Sequence, residues 1–147
     1  MTTWSPQLVV VGVDGSDQSQ HAAAVAVALV RCHDARLHIV TVVRPPEGWW
    51  GIVGSPPPAD SLVSSMSEAQ RGILDVTIAG IDLEGVDWSS SEEIGEPASA
   101  LSDVCREKEA DVLVVGRRGA GLVERLVMGS VADRLAHYAP CPVLIVP

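Results

Sequence analysis

A chain of 147 residues is long enough for one domain with a sizeable core. Apolar residues make up 47% of it, yet it has no Phe and one Tyr, so the core must be built from Val, Leu, Ile and Ala. A formal net charge of −9 excludes a non-specific nucleic-acid binder, which needs a basic stripe to displace counterions. No apolar run nears the roughly 20 residues of a membrane span. The N-terminal "MTTWSPQ" lacks the basic and apolar regions of a secretory leader, so a cytoplasmic protein with no membrane partner is expected.

In chain order, Leu8–Val13 ("LVVVGV") comes first: a β-branched, nearly continuous apolar run, as in a parallel strand covered on both faces. Ser16–Cys32 follows as a helix whose "HAAAVAVALV" is small enough to lie close to a sheet. Leu37–Val43 ("LHIVTVV") reads as the second strand. Segment 44–60, "RPPEGWWGIVGSPPPAD", holds five of the ten prolines and two of the four tryptophans. It reads either as a surface connector or as a lid whose Trp49 and Trp50 cover a ligand or partner. Asp60–Ala79 and Pro97–Lys108 read as helices, the second with Pro97 in its first turn. Between them Val86–Ile94 ("VDWSSSEEI") is polar enough for an edge strand. Val112–Val115 and Val143–Val146 complete the strands, and the helix Ser130–Tyr138 between them places Val131, Leu135 and Tyr138 on one face. The alternation β-α-β-α-β-α-β-α-β predicts one domain over 1–147, an open doubly wound α/β sheet of parallel strands.

The stretch "GRRGAGLVERLVMGSVAD" from Gly116 follows a buried strand, where open α/β sheets place their ligands. Some fourteen residues between strand and helix is long for a compact domain, and such loops are usually functional or disordered. Disorder fits poorly with Leu122, Val123, Leu126, Val127 and Met128, which favour burial. Gly116, Gly119 and Gly121 let backbone N–H groups turn toward a ligand at close range. Gly129–Ser130 then opens a helix whose unpaired amides and positive dipole end attract phosphate. Ser130 either caps that helix or offers its hydroxyl to a phosphate oxygen. Within 116–134, Arg117, Arg118, Arg125 and Arg134 stand against Glu124 and Asp133, a net +2 in a −9 chain. Singly, each arginine reads equally well as a solvated surface residue. A Walker P-loop is excluded, because the chain's one lysine, Lys108, lies elsewhere.

Gly116-x2-Gly119-x9-Gly129-Ser130 resembles the nucleotide signature of the universal stress protein family, in its ATP-binding branch. "VVVGVDGS" near the start, "GEPASAL" after the edge strand and "HYAPCPVLIVP" at the end also resemble that family, and the likeness runs from Leu8 to Val146. The resemblance implies a five-stranded sheet of order 3-2-1-4-5, with a cleft between strands 1 and 4. It places Gly12, Val13 and Asp14 at the nucleoside, with the Asp14 carboxylate accepting from ribose hydroxyls or adenine. Asp14 equally suits a helix-capping position in "VDGSDQS". Val42 matches the family's adenine-contacting position. Gly116, Gly119, Ala120 and Gly121 are implied to wrap the ribose and α-phosphate, with Gly129, Ser130 and Val131 at the β- and γ-phosphates of ATP. Magnesium would bridge the phosphate oxygens. Arg117, beside Arg118, stands where the family usually has a small or polar residue. The resemblance further implies a homodimer paired through the last strand, Cys141–Val146.

An enzymatic role would need a positioned base and stabilisation of the leaving phosphate. His21, His33, His38 and His137 all lie outside the glycine motif and read as structural or solvated. No hydrolase motif is present. The reading is therefore a nucleotide-dependent regulatory module acting through conformation or partners, with no catalytic residue and no protein metal site. Slow ATP hydrolysis, cAMP as the true ligand, and an interaction protein without nucleotide are the alternatives. Cys32, Cys105 and Cys141 are far apart in sequence and read as small core residues.

Overall fold

The computed structural model describes residues 3–44, 59–118 and 128–147. In chain order its elements are β1 (Leu8–Val13), α1 (Asp17–His33), β2 (Arg36–Val43), α2 (Ala59–Ala79), β3 (Trp88–Ile94), α3 (Pro97–Lys108), β4 (Val112–Gly116), α4 (Ser130–Tyr138) and β5 (Val143–Val146). The strands form one parallel sheet in the order β3-β2-β1-β4-β5, as expected for the doubly wound class.

Alternation along the strands sends side chains to two separate cores. Val9, Val11, Leu37, Ile39, Val112 and Val114 pack beneath α1, with Ile73 and Leu74 of α2 against them. Leu8, Val10, Val40, Leu113 and Val115 pack on the opposite face beneath α3 and α4. Because β1 and β4 are covered on both sides, they read as unbroken apolar runs; each fully buried Val or Leu contributes about 1.5–3 kcal/mol. On α1 the buried residues Ala22, Ala23, Ala26, Val27 and Val30 keep its axis close to the sheet. Its C-terminal Cys32 is exposed, correcting the core assignment. Two residues beyond Val30 is about 200° of helical rotation, which turns Cys32 to solvent.

β3 is the polar edge strand foreseen from "SSSEE", but it begins at Trp88 rather than Val86. The Val86 amide donates instead to the Leu83 carbonyl at 3.0 Å, closing a turn before the strand. Two buried polar side chains fasten this edge. His38, 2% exposed, places Nδ1 2.7 Å from Ser89 Oγ and Nε2 2.9 Å from Ser91 Oγ. Burial, then the nearby Lys108 charge, pushes the His38 pKa down to about 4. The neutral ring donates through one nitrogen and accepts through the other. Gln70 of α2 bridges the Thr41 and Glu93 carbonyls at 3.3 and 2.8 Å.

One apolar face differs from expectation. α4 is buried through Ala132 and Leu135, whereas Tyr138 is 77% exposed. Tyr138 borders a surface groove between α3 and α4 with Arg106 and Arg134, and does not join Val131 and Leu135 against the sheet.

Candidate functional site

The sheet divides at its centre. β1 pairs with β4 only over Val9–Val11 and Val112–Val114, yet β1 stays on β2 as far as Val13 and β4 stays on β5 as far as Gly116. The two strands therefore part after Val11 and Val114, and a crevice opens at the C-terminal ends of neighbours whose crossovers run in opposite directions. Open α/β sheets bind ligands in that position.

The crevice holds a pocket of about 110 Å³. Gly12 and Val13 of β1 with Asp14 after it, and Val115 and Gly116 of β4 with Arg118 after it, border it. Val40 and Val42 come from β2, Pro97 and Leu101 from α3, Val131 from α4 and Ser19 from α1. Whole ligand pockets run to about 300–1,000 Å³, so this apolar recess suits one flat ring, not a whole nucleotide. Two glycines shape it differently. A Cβ on Gly12 would lie 2.9 Å from a Leu101 methyl, so its absence lets α3 seat against β1. A Cβ on Gly116 would lie 3.0 Å from both the Gln18 carbonyl carbon and the Gln18 Cβ, so Gly116 admits the first turn of α1.

Asp14 sits at the rim, tied into the turn that starts α1. One oxygen, Oδ1, accepts from the Ser16 amide at 2.9 Å and from the Ser16 hydroxyl. Its own amide donates to Ser19 Oγ at 3.3 Å. The helix cap is Ser16, whose hydroxyl accepts from the Ser19 amide, so Asp14 orients the cap without being it. This places a carboxylate of fixed direction beside the apolar recess, suited to accept from a sugar hydroxyl.

Beyond the recess the chain closes on itself. The Gly129 amide donates to the Arg117 carbonyl at 2.8 Å, and the Arg117 amide donates to the Val146 carbonyl at 2.7 Å. The two ends of the glycine segment are thereby pinned together above β4 and β5. Gly129 is the N-cap of α4 and, having no side chain, makes no side-chain cap bond to that helix's first amides. Ser130 is an exposed first residue of the helix and not its cap. α3 contrasts with this: Glu96 accepts from the Ala98 amide at 3.2 Å and the Ser99 amide at 2.8 Å. Glu96 also draws in Arg134 of α4 at 3.2 Å and Arg44 at 3.7 Å. Burial alone would raise the Glu96 pKa; the Ser99 and Ala98 amides and the Arg134 charge outweigh it and hold the carboxyl below its ordinary value.

Of the residues singled out from sequence, Gly12, Val13, Asp14, Val42, Gly116, Arg118 and Val131 line one pocket. Arg117, Gly129 and Ser130 stand beside it without lining it. Gly119, Ala120 and Gly121 lie outside the described residues, as do Leu122, Val123, Glu124, Arg125, Leu126 and Val127, and Trp49 and Trp50 of the proline-rich segment. Sequence reasoning missed Ser19, Val40, Pro97, Leu101 and Val115. The available signal was strand alternation, which puts Val40 and Val115 on the same face as Val42. None of the histidines lines this pocket.

Residues 7–147 match the profile of the universal stress protein family. The chain belongs to that family. A universal stress protein of Thermus aquaticus is 33% identical over 139 residues, covering 94% of this chain and 96% of its own. A universal stress protein solved in complex with cAMP is 30% identical, with 98% of each chain covered and a TM-score of 0.65. The UspA protein of Lactobacillus plantarum, at 21% identity and a TM-score of 0.77, covers 99% of this chain and 100% of its own and shares the fold.

Proposed function

We propose that this chain is an ATP-binding universal stress protein, a regulatory module whose nucleotide state alters its shape or its association with partners. The observation that carries the reading is the open mouth of α4. Its N-cap, Gly129, offers the first amides no side-chain acceptor, and Val131 of its first turn borders an apolar recess at the sheet's switch point. A phosphate group supplies the missing acceptor and the negative charge that a helix start favours. In this arrangement adenine takes the recess against Val40 and Val42, Asp14 accepts from the ribose, and the Ser130 hydroxyl joins the Ser130 and Val131 amides at the terminal phosphates. Gly116 and the 119–121 segment wrap the ribose and α-phosphate, with Arg117 and Arg118 adding positive charge. Magnesium would be carried in with the nucleotide and supply charge neutralisation at its phosphates. The cAMP complex of the 30% identical relative supports an adenine ligand and makes cAMP the second reading.

The test is direct. Freshly purified protein is denatured, and any released nucleotide is identified by mass spectrometry. Mg·ATP, AMP and cAMP are then titrated calorimetrically into emptied protein. Binding of ATP, weakened in Ser130→Ala and lost when Val42→Trp fills the recess, is the expected result. Tighter binding of cAMP than ATP would move the assignment to the second reading. Flat titrations with all three would leave an interaction protein without nucleotide. Linear phosphate release over many turnovers, abolished by Ser130→Ala, would make it an ATPase.

We also propose homodimerisation through Cys141–Val146. The carbonyls of Pro142 and Val146 accept from Leu113 and Arg117 of the β4 side, so the alternating Val143 and Ile145 direct their backbone groups outward. That edge carries apolar side chains, with Leu144 40% exposed, and an unpaired apolar edge invites strand pairing. Sedimentation equilibrium should give a dimer, and Ile145→Pro, which removes an outward donor, a monomer. No helix among the described residues is long and apolar enough to cross a membrane; we propose a cytoplasmic location, for fractionation to test.

A further inference from the structure

The approach to β5 carries chemistry that nucleotide binding does not use. Cys105 lies on the buried face of α3 and is 2% exposed. Cys141 lies in the turn between α4 and β5 and is half-buried. Distant in sequence, both thiols belong to the apolar cluster that includes Leu101, Val104 and Leu113, close enough to interact. Cys32, on the outer face of α1, is exposed and takes no part in this cluster.

We propose that Cys141 and Cys105 form a peroxide-reactive thiol pair, with Cys141 as the attacking sulfur and Cys105 as the resolving one. Burial sets the order. A peroxide reaches Cys141 at the surface, whereas Cys105 is enclosed. Charge sets the same order. The interaction with Cys105 lowers the Cys141 pKa, and the Leu113 amide assists, against burial and the Asp111 carboxylate. That same interaction, followed by burial, raises Cys105. The thiolate is the nucleophile, and these shifts favour it on the accessible sulfur over the enclosed one.

The chemistry balances in two steps. The Cys141 thiolate attacks one oxygen of hydrogen peroxide; the O–O bond breaks, hydroxide leaves and takes up a proton to become water, and a sulfenic acid remains. The Cys105 sulfur then attacks the Cys141 sulfur, the S–O bond breaks, and the Cys105 proton leaves with the oxygen as a second water. Two thiols are oxidised to one disulfide, and one peroxide is reduced by the same two electrons. The new bond would join the end of α3 to the start of β5.

The full chain carrying Cys32→Ser is the material for the test, because it leaves both core cysteines in place. It is treated with hydrogen peroxide, alkylated under denaturing conditions and mapped without reduction. The expected product is an intramolecular 105–141 disulfide, with both alkylatable thiols lost together. In Cys141→Ala on the same background, Cys105 should react at least about tenfold more slowly. In Cys105→Ala, Cys141 should halt at a sulfenic acid trapped by dimedone. The pair is refuted if both thiols survive peroxide that consumes a glutathione control. It is equally refuted if oxidation yields only intermolecular bonds, or if Cys105 keeps its rate without Cys141. The peptide map needs no substitution in the core, so it tests the pair even where an alanine variant is destabilised.

Discussion

α3 and α4 start at the same end of the sheet and pack against each other, but they close their first turns in opposite ways. α3 is stoppered from within by Glu96, which binds two of its first amides and gathers Arg44 and Arg134 around one carboxylate. α4 begins on Gly129, which has no side chain to offer, and Val131 of its first turn borders the pocket. One helix start is finished by a charged cap; the other has a cap with no side chain to give. A protein built only for stability would cap both, since a side-chain cap is worth about 0.5–2 kcal/mol.

Making α4 like α3 is the strongest way to break this contrast. Gly129 has φ −61° and ψ 153°, a conformation open to any residue. Gly129→Asp should place a carboxylate on the amides assigned to phosphate. ATP affinity should fall about a hundredfold, about 2.8 kcal/mol, while the helix keeps a favoured cap. Calorimetric titration reads the loss, and urea denaturation reads the retained stability. Undiminished binding would show that the mouth of α4 holds no phosphate.

Gly116 sharpens the distinction between fold and site. Its neighbour is the Gln18 backbone, which cannot swing aside as a flexible side chain can. Gly116→Ala should therefore cost about 1–3 kcal/mol in nucleotide-free protein, measured by urea unfolding. Gly12→Ala meets flexible Leu101 methyls closely, and Val115 only at ordinary contact distance, and should cost less. An equal or larger loss at Gly12 would place the rigid contact on the α3 side.

Opening α3 is the converse experiment. Glu96→Ala should cost about 1–2 kcal/mol, mostly through the cap, because the exposed arginine pairs add little. The dependence on pH has a definite sign. The folded Glu96 carboxyl lies below its ordinary value of 4.5, so its contribution is complete above that value and disappears as pH falls through the lower, folded one. Glu96→Gln should therefore unfold with a shallower acid limb than the wild type in urea titrations below about pH 4.5. Identical limbs would remove Glu96 from the acid response.

The difference between α3 and α4 also marks what a sequence discloses. β1, α3, α4 and β5 were legible to the residue, because apolar runs, Pro97 at a first helical position and Gly129–Ser130 are local signals. The cleft between strands 1 and 4 came from the family resemblance, which supplied the strand order, and its wall residues Val40, Leu101 and Val115 were missed. The Glu96 cluster was not legible, because its arginines come from the end of β2 and from α4, brought together only by the sheet. The Cys105–Cys141 contact escaped for the same reason. Tyr138 misled because helical periodicity fixes a direction around the axis but not whether a sheet lies opposite the last turn.

The far ends of the two helices give the smallest test of the contrast. α3 ends on Glu109 in a left-handed conformation, φ 55°, where a side chain is strained, whereas α4 ends on Ala139 at φ −63° and ψ 143°. Glu109→Gly should relieve that strain and stabilise the protein by about 0.5–1 kcal/mol, net of the extra unfolded-state freedom of glycine. Ala139→Gly has no strain to relieve and should lose a similar amount through that freedom alone. Opposite signs in paired urea denaturation curves would confirm that only α3 needs a left-handed stop. A gain at Ala139 would mean that α4, too, ends under strain.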